Sequence, residues 1–171
     1  MAIRRELSGG LPLAKDDRHS LLRTRASDLA KLERHVYQRY PSWEWGTFFE
    51  FGFRRTSWGL AMSYVQGLWP QPGDMDRQVG LTRFLDQYSR RAFHHAAASP
   101  LAIGVVHSHP EGSGTFPSTI DDDMDSYFAR EFGAYSNGKP YCSLVLQRNS
   151  RTGFSFTGRV YDRGEWLPVE K

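Results

Sequence analysis

The sequence predicts a single α/β domain in which a mixed β-sheet is flanked by helices. Amphipathic helical segments alternate along the chain with short apolar or alternating runs that read as strands. Some of these strands follow one another as hairpins and not as strict strand-helix-strand repeats, which favours a mixed sheet over a parallel one. A chain of 171 residues that is 39% hydrophobic can fill one substantial core but is short for two domains.

The N-terminal half predicts one helix and one hairpin. Apolar side chains recur every three or four positions across residues 20–39, so this segment predicts an amphipathic helix that ends before Pro41. Phenylalanines alternate with other residues over 49–53, and a second alternating run covers 58–64. The polar residues between these runs predict a β-hairpin.

The C-terminal half repeats this alternation. Residues 80–98 have helical spacing and end at Ser99-Pro100, and the apolar run 101–106 predicts a short buried strand. Residues 141–147 and 154–161 predict two further strands, joined by a polar turn. We expect residues 1–18, rich in Gly, Pro and charge, to form an N-terminal extension, with the domain covering residues 19–171.

Two histidines follow the buried strand and suggest a metal site. His107 and His109 are two positions apart, so on a strand they point to the same face, roughly 6.5–7 Å apart at the backbone. Asp121 opens the next segment, whose apolar residues have helical spacing, and its carboxylate can face back toward the strand. Two His and one Asp leave a fourth tetrahedral position for water, as in a catalytic zinc site.

Each part of this pattern also has a structural interpretation. Ser118 and Asp121 form a capping-box pattern, which satisfies the free N–H groups at a helix start. A His-x-His pair on a strand is more often incidental than metal-binding. The whole succession of strand, His-x-His-Pro, the glycine-bearing loop at 111–114 and Ser-x-x-Asp is what favours the zinc site.

This succession resembles the JAMM motif of the JAB/MPN zinc metalloproteases, which combines His-x-His-Pro, Ser-x-x-Asp and an upstream glutamate. Ser118 lies nine positions after His109, one more than is usual in the family, so one residue must bulge from the loop. Gly112 and Gly114 can supply the positive φ angles that such a loop needs. Two registers remain open: Asp121 with Ser118, which we favour because it keeps the serine, and Asp122 with Thr119.

Glu44 matches the glutamate that the resemblance requires. It stands at the predicted entry to the first strand and is followed closely by Gly46, as in the family pattern. Glu50 is the competing residue, with the same strand parity, but it lies deeper in the strand between phenylalanines. Without the resemblance, Glu44 would be an ordinary exposed charge at a strand entry.

The resemblance covers about residues 20–162 and implies an MPN/JAB-like (cytidine-deaminase-like) domain. It implies Zn²⁺ held by His107, His109 and Asp121, with Glu44 as proton carrier and Ser118 as oxyanion donor. The substrate would be a peptide or isopeptide bond after the C-terminal glycine of a ubiquitin-like protein, whose tail lies extended along a strand edge. The sequence looks like bacterial JAB proteases of ubiquitin-like conjugation systems, including antiphage operons, so E1-like and E2-like partners are implied.

Composition limits the alternatives. Two other functions are alternatives to a zinc protease. One is a catalytically inactive MPN-type scaffold. The other is a nucleic-acid-binding module, which is a weak alternative because the net charge is only +3, with 22 basic and 19 acidic residues. No apolar stretch has the length of a membrane span or the form of a signal peptide, which predicts a cytoplasmic protein. Cys142, the single cysteine, is expected to be a small buried hydrophobe. His94 and His95, which are neighbours on a predicted helix, are expected to be surface or half-buried residues.

Overall fold

The computed structural model describes residues 18–38, 41–78, 81–149 and 153–170. Nine strands and three helices lie in these ranges. Their order is β1 (Ser20–Arg23), α1 (Ala26–Val36), β2 (Gly46–Thr56), β3 (Gly59–Leu68), β4 (Met75–Gln78), β5 (Leu81–Phe84), α2 (Asp86–Ala97), β6 (Ala102–Ser108), α3 (Thr119–Ser136), β7 (Tyr141–Asn149), β8 (Gly153–Asp162) and β9 (Glu165–Glu170). No helix in the described ranges is long and apolar enough to cross a membrane.

Seven strands form a closed barrel in the order β1-β3-β2-β6-β7-β8-β9, and β4 and β5 form a separate two-stranded sheet. The barrel closes where β9 pairs in parallel with β1, through Ser20 opposite Val169 and Leu21 opposite Glu170. β6 and β7 are also parallel, whereas β2 pairs with β3 and with β6 in the antiparallel sense. The expected MPN/JAB-like fold, a mixed β-sheet flanked by helices, is therefore wrong: the sheet has closed on itself.

The closing strands explain this error. β1 lies within the segment predicted as a helix over 20–39, but it pairs with β3 instead, and the helix covers only Ala26–Val36. β1 has only four residues, which are too few for an alternating strand pattern to stand out against the helical spacing around it. The strands with which β1 pairs are also distant in sequence. β9 was not predicted at all; a tight turn with positive φ at Arg163 and Gly164 folds it back on β8.

The second predicted helix, over 80–98, is also shorter than expected. α2 begins at Asp86, and the residues before it form β5, which pairs antiparallel with β4. Residues 79 and 80 lie outside the described ranges, as do residues 1–17 of the expected N-terminal extension. The predicted hairpin corresponds to β2 and β3, and the predicted strands at 101–106, 141–147 and 154–161 correspond to β6, β7 and β8.

One glycine makes the attachment of β1 possible. Gly59 has φ +142°, and a Cβ atom placed there would lie 1.8 Å from the carbonyl oxygen of His19. The amide of His19 donates to the carbonyl of Trp58, 3.1 Å away, and the hydroxyl of Ser20 accepts from the amide of Leu60. Only a residue without a side chain permits this approach, which starts the β1–β3 pairing.

β6 is buried on both faces, which explains its continuous apolar sequence. One face carries Val106 and Ser108, and the Ser108 hydroxyl reaches the carbonyl of Val36 at the end of α1. The other face carries Val105, paired with Phe48, whose ring contacts aromatic rings of both α2 and α3. His107 belongs to this second face, so the strand presents it to the start of α3.

Candidate metal centre

The end of β6 and the start of α3 bring His107, His109 and Asp121 together. The three side chains are nearly inaccessible to solvent, with 6%, 5% and 7% of their residue surfaces exposed. His107 is held in register between Gly46 of β2 and Val145 of β7, and His109 follows the strand directly. Within the described residues, these three form the group of His, Cys, Asp and Glu side chains that could hold a metal ion.

The spacing of the nitrogen and oxygen atoms in this cluster fits one bound zinc ion. His107 Nε2 is 3.2 Å from His109 Nε2 and 3.2 Å from Asp121 Oδ1, and His109 Nε2 is 3.3 Å from Asp121 Oδ2. Two donors bound to one zinc at about 2.0–2.1 Å with tetrahedral angles are about 3.3–3.4 Å apart. Each of the three distances is close to this separation, with one Asp121 oxygen facing His107 and the other facing His109, and two imidazoles with one carboxylate suit a zinc ion.

The loop after β6 fixes the orientation of His109. Its Nδ1 lies 3.0 Å from the carbonyl oxygen of Gly114, a group that can only accept, so Nδ1 carries the proton. Nε2 then directs its lone pair toward the cluster, as metal binding needs. Gly112 and Gly114 have φ of +86° and +80°, the positive values expected for the extra loop residue.

Asp121 combines the two roles that the sequence left open. It is the third residue of α3 in a complete capping box: its backbone N–H donates to Ser118 Oγ at 3.2 Å, and its Oδ2 accepts from the Ser118 backbone N–H at 2.6 Å. The Ser118 hydroxyl also lies 2.7 Å from Oδ2. The cap thus fixes the carboxylate so that its two oxygens face the two histidines.

Electrostatics agree with a carboxylate that stays ionised. Burial would raise the pKa of Asp121, but hydrogen bonds with His107, His109 and Ser118 outweigh burial and hold that pKa well below its usual range. The pKa of His109 is raised, chiefly by its hydrogen bond with Asp121, with further contributions from the charges of Asp121 and Glu44. In the absence of a metal, a proton on His109 is therefore favoured.

Asp122, the alternative ligand, points elsewhere. Its side chain is 54% exposed, and its Oδ1 accepts from Arg159 Nη1 at 2.6 Å. The geometry therefore places Asp121, and not Asp122, in the cluster.

Glu44 lies in the loop just before β2, half-buried and close enough to His109 for its charge to raise the pKa of that histidine. Hydrogen bonds anchor this loop to the segment that carries the metal ligands. The amide of Ser108 donates to the carbonyl of Trp45 at 2.9 Å, and the amide of Trp45 donates to Ser108 Oγ at 3.2 Å. The amide of Glu111 donates to the carbonyl of Pro41, so the Glu44 loop is held at both ends.

Ser108 is a residue that sequence reasoning named only as part of the motif. Because it lies between two histidines on a strand, its side chain points to the opposite face, toward α1 and Trp45. There it donates to the Val36 carbonyl at 2.6 Å and is fully buried. Strand parity alone predicts that Ser108 faces away from the histidines, whereas its contacts with α1 and the Glu44 loop are visible only in the structure.

Glu50, the competitor of Glu44, is a buried structural carboxylate, 1% exposed. Its Oε2 accepts from Gln66 Nε2 at 2.7 Å and lies 3.4 Å from His95 Nε2. It pairs with Ile103, four residues from the Gly46–His107 pair, or about 13 Å along the strand. Glu50 therefore serves the contact between β2 and the end of α2.

The remaining candidates behave as the sequence predicted. Cys142 is fully buried on β7, where burial raises the pKa of its thiol, so it is not a reactive thiolate. His94 and His95 are exposed at the end of α2.

Comparison with known proteins does not assign a family. No family model matches the sequence. No curated protein matches it either. The solution structure of protein DSY2949 from Desulfitobacterium hafniense aligns with 88% of this chain and 93% of that one, at 12% identity and a TM-score of 0.46.

Proposed function

We propose that the protein is a zinc-dependent peptidase or isopeptidase of the JAMM type, cleaving after the C-terminal glycine of a ubiquitin-like protein. The observation that carries the proposal is the buried triangle of residues His107, His109 and Asp121, whose facing nitrogen and carboxylate oxygen atoms are 3.2–3.3 Å apart, with the charge of Glu44 acting on His109. The proposal rests on this site and on its motif, and not on the overall fold.

Each residue has a distinct role in the proposed reaction. Zinc bound by the triangle would lower the pKa of a water molecule toward 7 and polarise the scissile carbonyl. Glu44 accepts a proton from the attacking water and delivers it to the leaving amine, so that the peptide C–N bond breaks as the new C–O bond forms. The Ser118 hydroxyl, which in the structure donates to Asp121 Oδ2, would turn its proton toward the developing oxyanion.

The cellular setting is part of the same proposal. A ubiquitin-like protein is the substrate, E1-like and E2-like enzymes encoded nearby are the partners, and the reaction takes place in the cytoplasm. Either precursor trimming or deconjugation is compatible with the site. An assay with a ubiquitin-like protein fused through its terminal glycine to a reporter, and a second assay with a lysine conjugate, would distinguish them.

We expect the purified protein to bind about one zinc ion per chain, because three converging ligands and one water complete the coordination sphere. Affinity should fall as the pH is lowered, since a proton on His109, whose pKa is raised, competes with the metal. Elemental analysis and a chelator competition measure both effects. Zinc that remains bound after His107→Ala combined with His109→Ala would exclude this site.

Ser118→Ala is expected to retain zinc and to slow turnover by about 10² or more, the usual cost of deleting one oxyanion donor. Loss of the helix cap should also destabilise the protein by about 0.5–2 kcal/mol. Ser118→Thr keeps the hydroxyl and is the matched control. Steady-state kinetics at saturating zinc, together with thermal unfolding, separate the two effects, and full turnover by the alanine variant would remove the hydroxyl from the reaction.

A further inference from the structure

Asp125 is a buried carboxylate that the proposed reaction does not use. It lies on α3, one helical turn after Asp121 and therefore on the same face of the helix, and only 2% of its surface is exposed. An ionised group so far from solvent needs several partners, and its position behind the metal ligands calls for a physical explanation.

The partners of Asp125 hold it in one orientation and offset part of the effect of burial, which raises the pKa of its carboxyl group. Arg159 of β8 donates to Oδ2 through Nε at 3.0 Å and Nη2 at 2.6 Å. On the other side, the Tyr141 hydroxyl donates to Oδ1 at 3.2 Å, and the Ser143 hydroxyl also donates to the carboxylate. The guanidinium of Arg159 is itself fixed, since it lies over the ring of Trp166 at 4.8 Å.

Within the part of the chain that the structure describes, His107 lacks a hydrogen-bond partner for one of its ring nitrogens. Its Nε2 faces Asp121 and His109, but its Nδ1 is buried and has no hydrogen-bond partner among the described residues. When Nε2 binds a metal, Nδ1 must carry a proton, and such a proton is normally donated to a carboxylate or carbonyl group that orients the ring. His109 already has such an acceptor in Gly114, whereas His107 does not.

Strand register brings the two groups to the same face. His107 pairs with Val145 of β7, and Ser143, which binds Asp125, lies two residues before Val145 on that strand, about 6.5–7 Å away. A separation beyond direct hydrogen-bond distance can be bridged by one water molecule between two buried polar groups.

We propose that Asp125 is the outer carboxylate of the metal centre, which accepts the Nδ1–H of metal-bound His107 through one bridging water and so orients this ligand. Asp125 is thus a positioning residue that touches neither metal nor substrate. The inference rests on the proposed zinc site. Arg159, Tyr141 and Ser143 keep the carboxyl group in place.

The test compares zinc affinity in three variants by chelator competition. Asp125→Asn keeps the shape of the side chain and should weaken zinc binding about 10- to 100-fold, the usual effect of losing an outer-shell partner. Asp122→Asn is the matched control, because Asp122 shares Arg159 but is exposed, and it should bind zinc like the wild type. Circular dichroism of the metal-free proteins confirms that each is folded.

A double variant, Asp125→Asn with Arg159→Gln, removes both buried charges and guards against unfolding caused by an unpaired arginine. It should be as weak in zinc binding as the single variant. Recovery of wild-type affinity in the double variant would overturn the inference, because Asp125 would then serve only to neutralise Arg159. Unchanged affinity in Asp125→Asn would overturn it too, while leaving the zinc site intact; a wild-type protein that binds no zinc would refute the site itself.

A second readout distinguishes positioning from simple structural support. In ¹⁵N-labelled, zinc-loaded protein, the Nδ1–H of His107 should exchange slowly with solvent, and Asp125→Asn should accelerate this exchange while leaving that of His109 unchanged. Equal acceleration at both histidines would mean general loosening of the fold, and would count against the proposed link.

Discussion

Replacing Glu44 with glutamine is expected to reduce hydrolysis of a ubiquitin-like fusion by about 10²–10⁴-fold while leaving zinc content and folding unchanged. Glutamine preserves the size and hydrogen-bonding reach of the side chain but cannot accept the water proton, and general acid–base groups contribute rates of this order. Glu44 is not one of the three converging ligands, so the metal should remain. Activity is measured at saturating substrate, with zinc content determined on the same samples.

Glu50→Gln is the matched control, since both glutamates belong to the same stretch of chain at β2. Glu50 is buried and bonded to Gln66 far from the metal ligands, so its replacement should affect stability and not the rate at saturating substrate. Wild-type rates for Glu44→Gln on a validated substrate would exclude Glu44 as the proton carrier. If Glu50→Gln alone lost turnover with zinc retained, the roles of the two glutamates would have to be exchanged.

The cluster could be predicted because its parts are close in sequence and follow local rules. His107 and His109 share a face through strand parity, and Ser118 and Asp121 form a capping box whose geometry is fixed within one helical turn. The sequence left open only the effect of the one extra residue between His109 and Ser118. The loop glycines accommodate that residue. In the sequence, a helix cap and a metal ligand are alternative interpretations of Asp121. In the structure, the two oxygens of its carboxylate can serve both roles.

The closure of the barrel could not be predicted because it depends on pairs that are far apart in sequence. Leu21 pairs with Ala61, and Ser20 with Val169, which no local periodicity reports. The turn at Arg163 and Gly164 was a usable signal for β9, since a two-residue turn that includes glycine joins antiparallel strands. The burial of Asp125 could not be predicted for a different reason: in the sequence it is one of four acidic residues at the start of a helix, where charges usually face water.

The second large effect is expected from Asp121→Asn, which should remove one metal bond and nearly all hydrolytic activity. The neutral amide is a much weaker zinc ligand than a carboxylate, and its single oxygen cannot face both histidines as the two oxygens of Asp121 do. The same substitution leaves an acceptor for the Ser118 backbone N–H, so the start of α3 should remain folded. Zinc content and turnover are therefore expected to fall together.

Asp122→Asn provides the comparison, because it makes the same carboxylate-to-amide change at the neighbouring residue. The exposed Asp122 binds Arg159 and lies at the N-terminus of α3, so its loss should cost only about 0.3–1 kcal/mol of stability, with zinc and turnover retained. The pair of variants thus tests which register the extra loop residue produces. Loss of zinc from Asp122→Asn, with zinc retained in Asp121→Asn, would show that Asp122 is the ligand and that Thr119 takes the place assigned to Ser118.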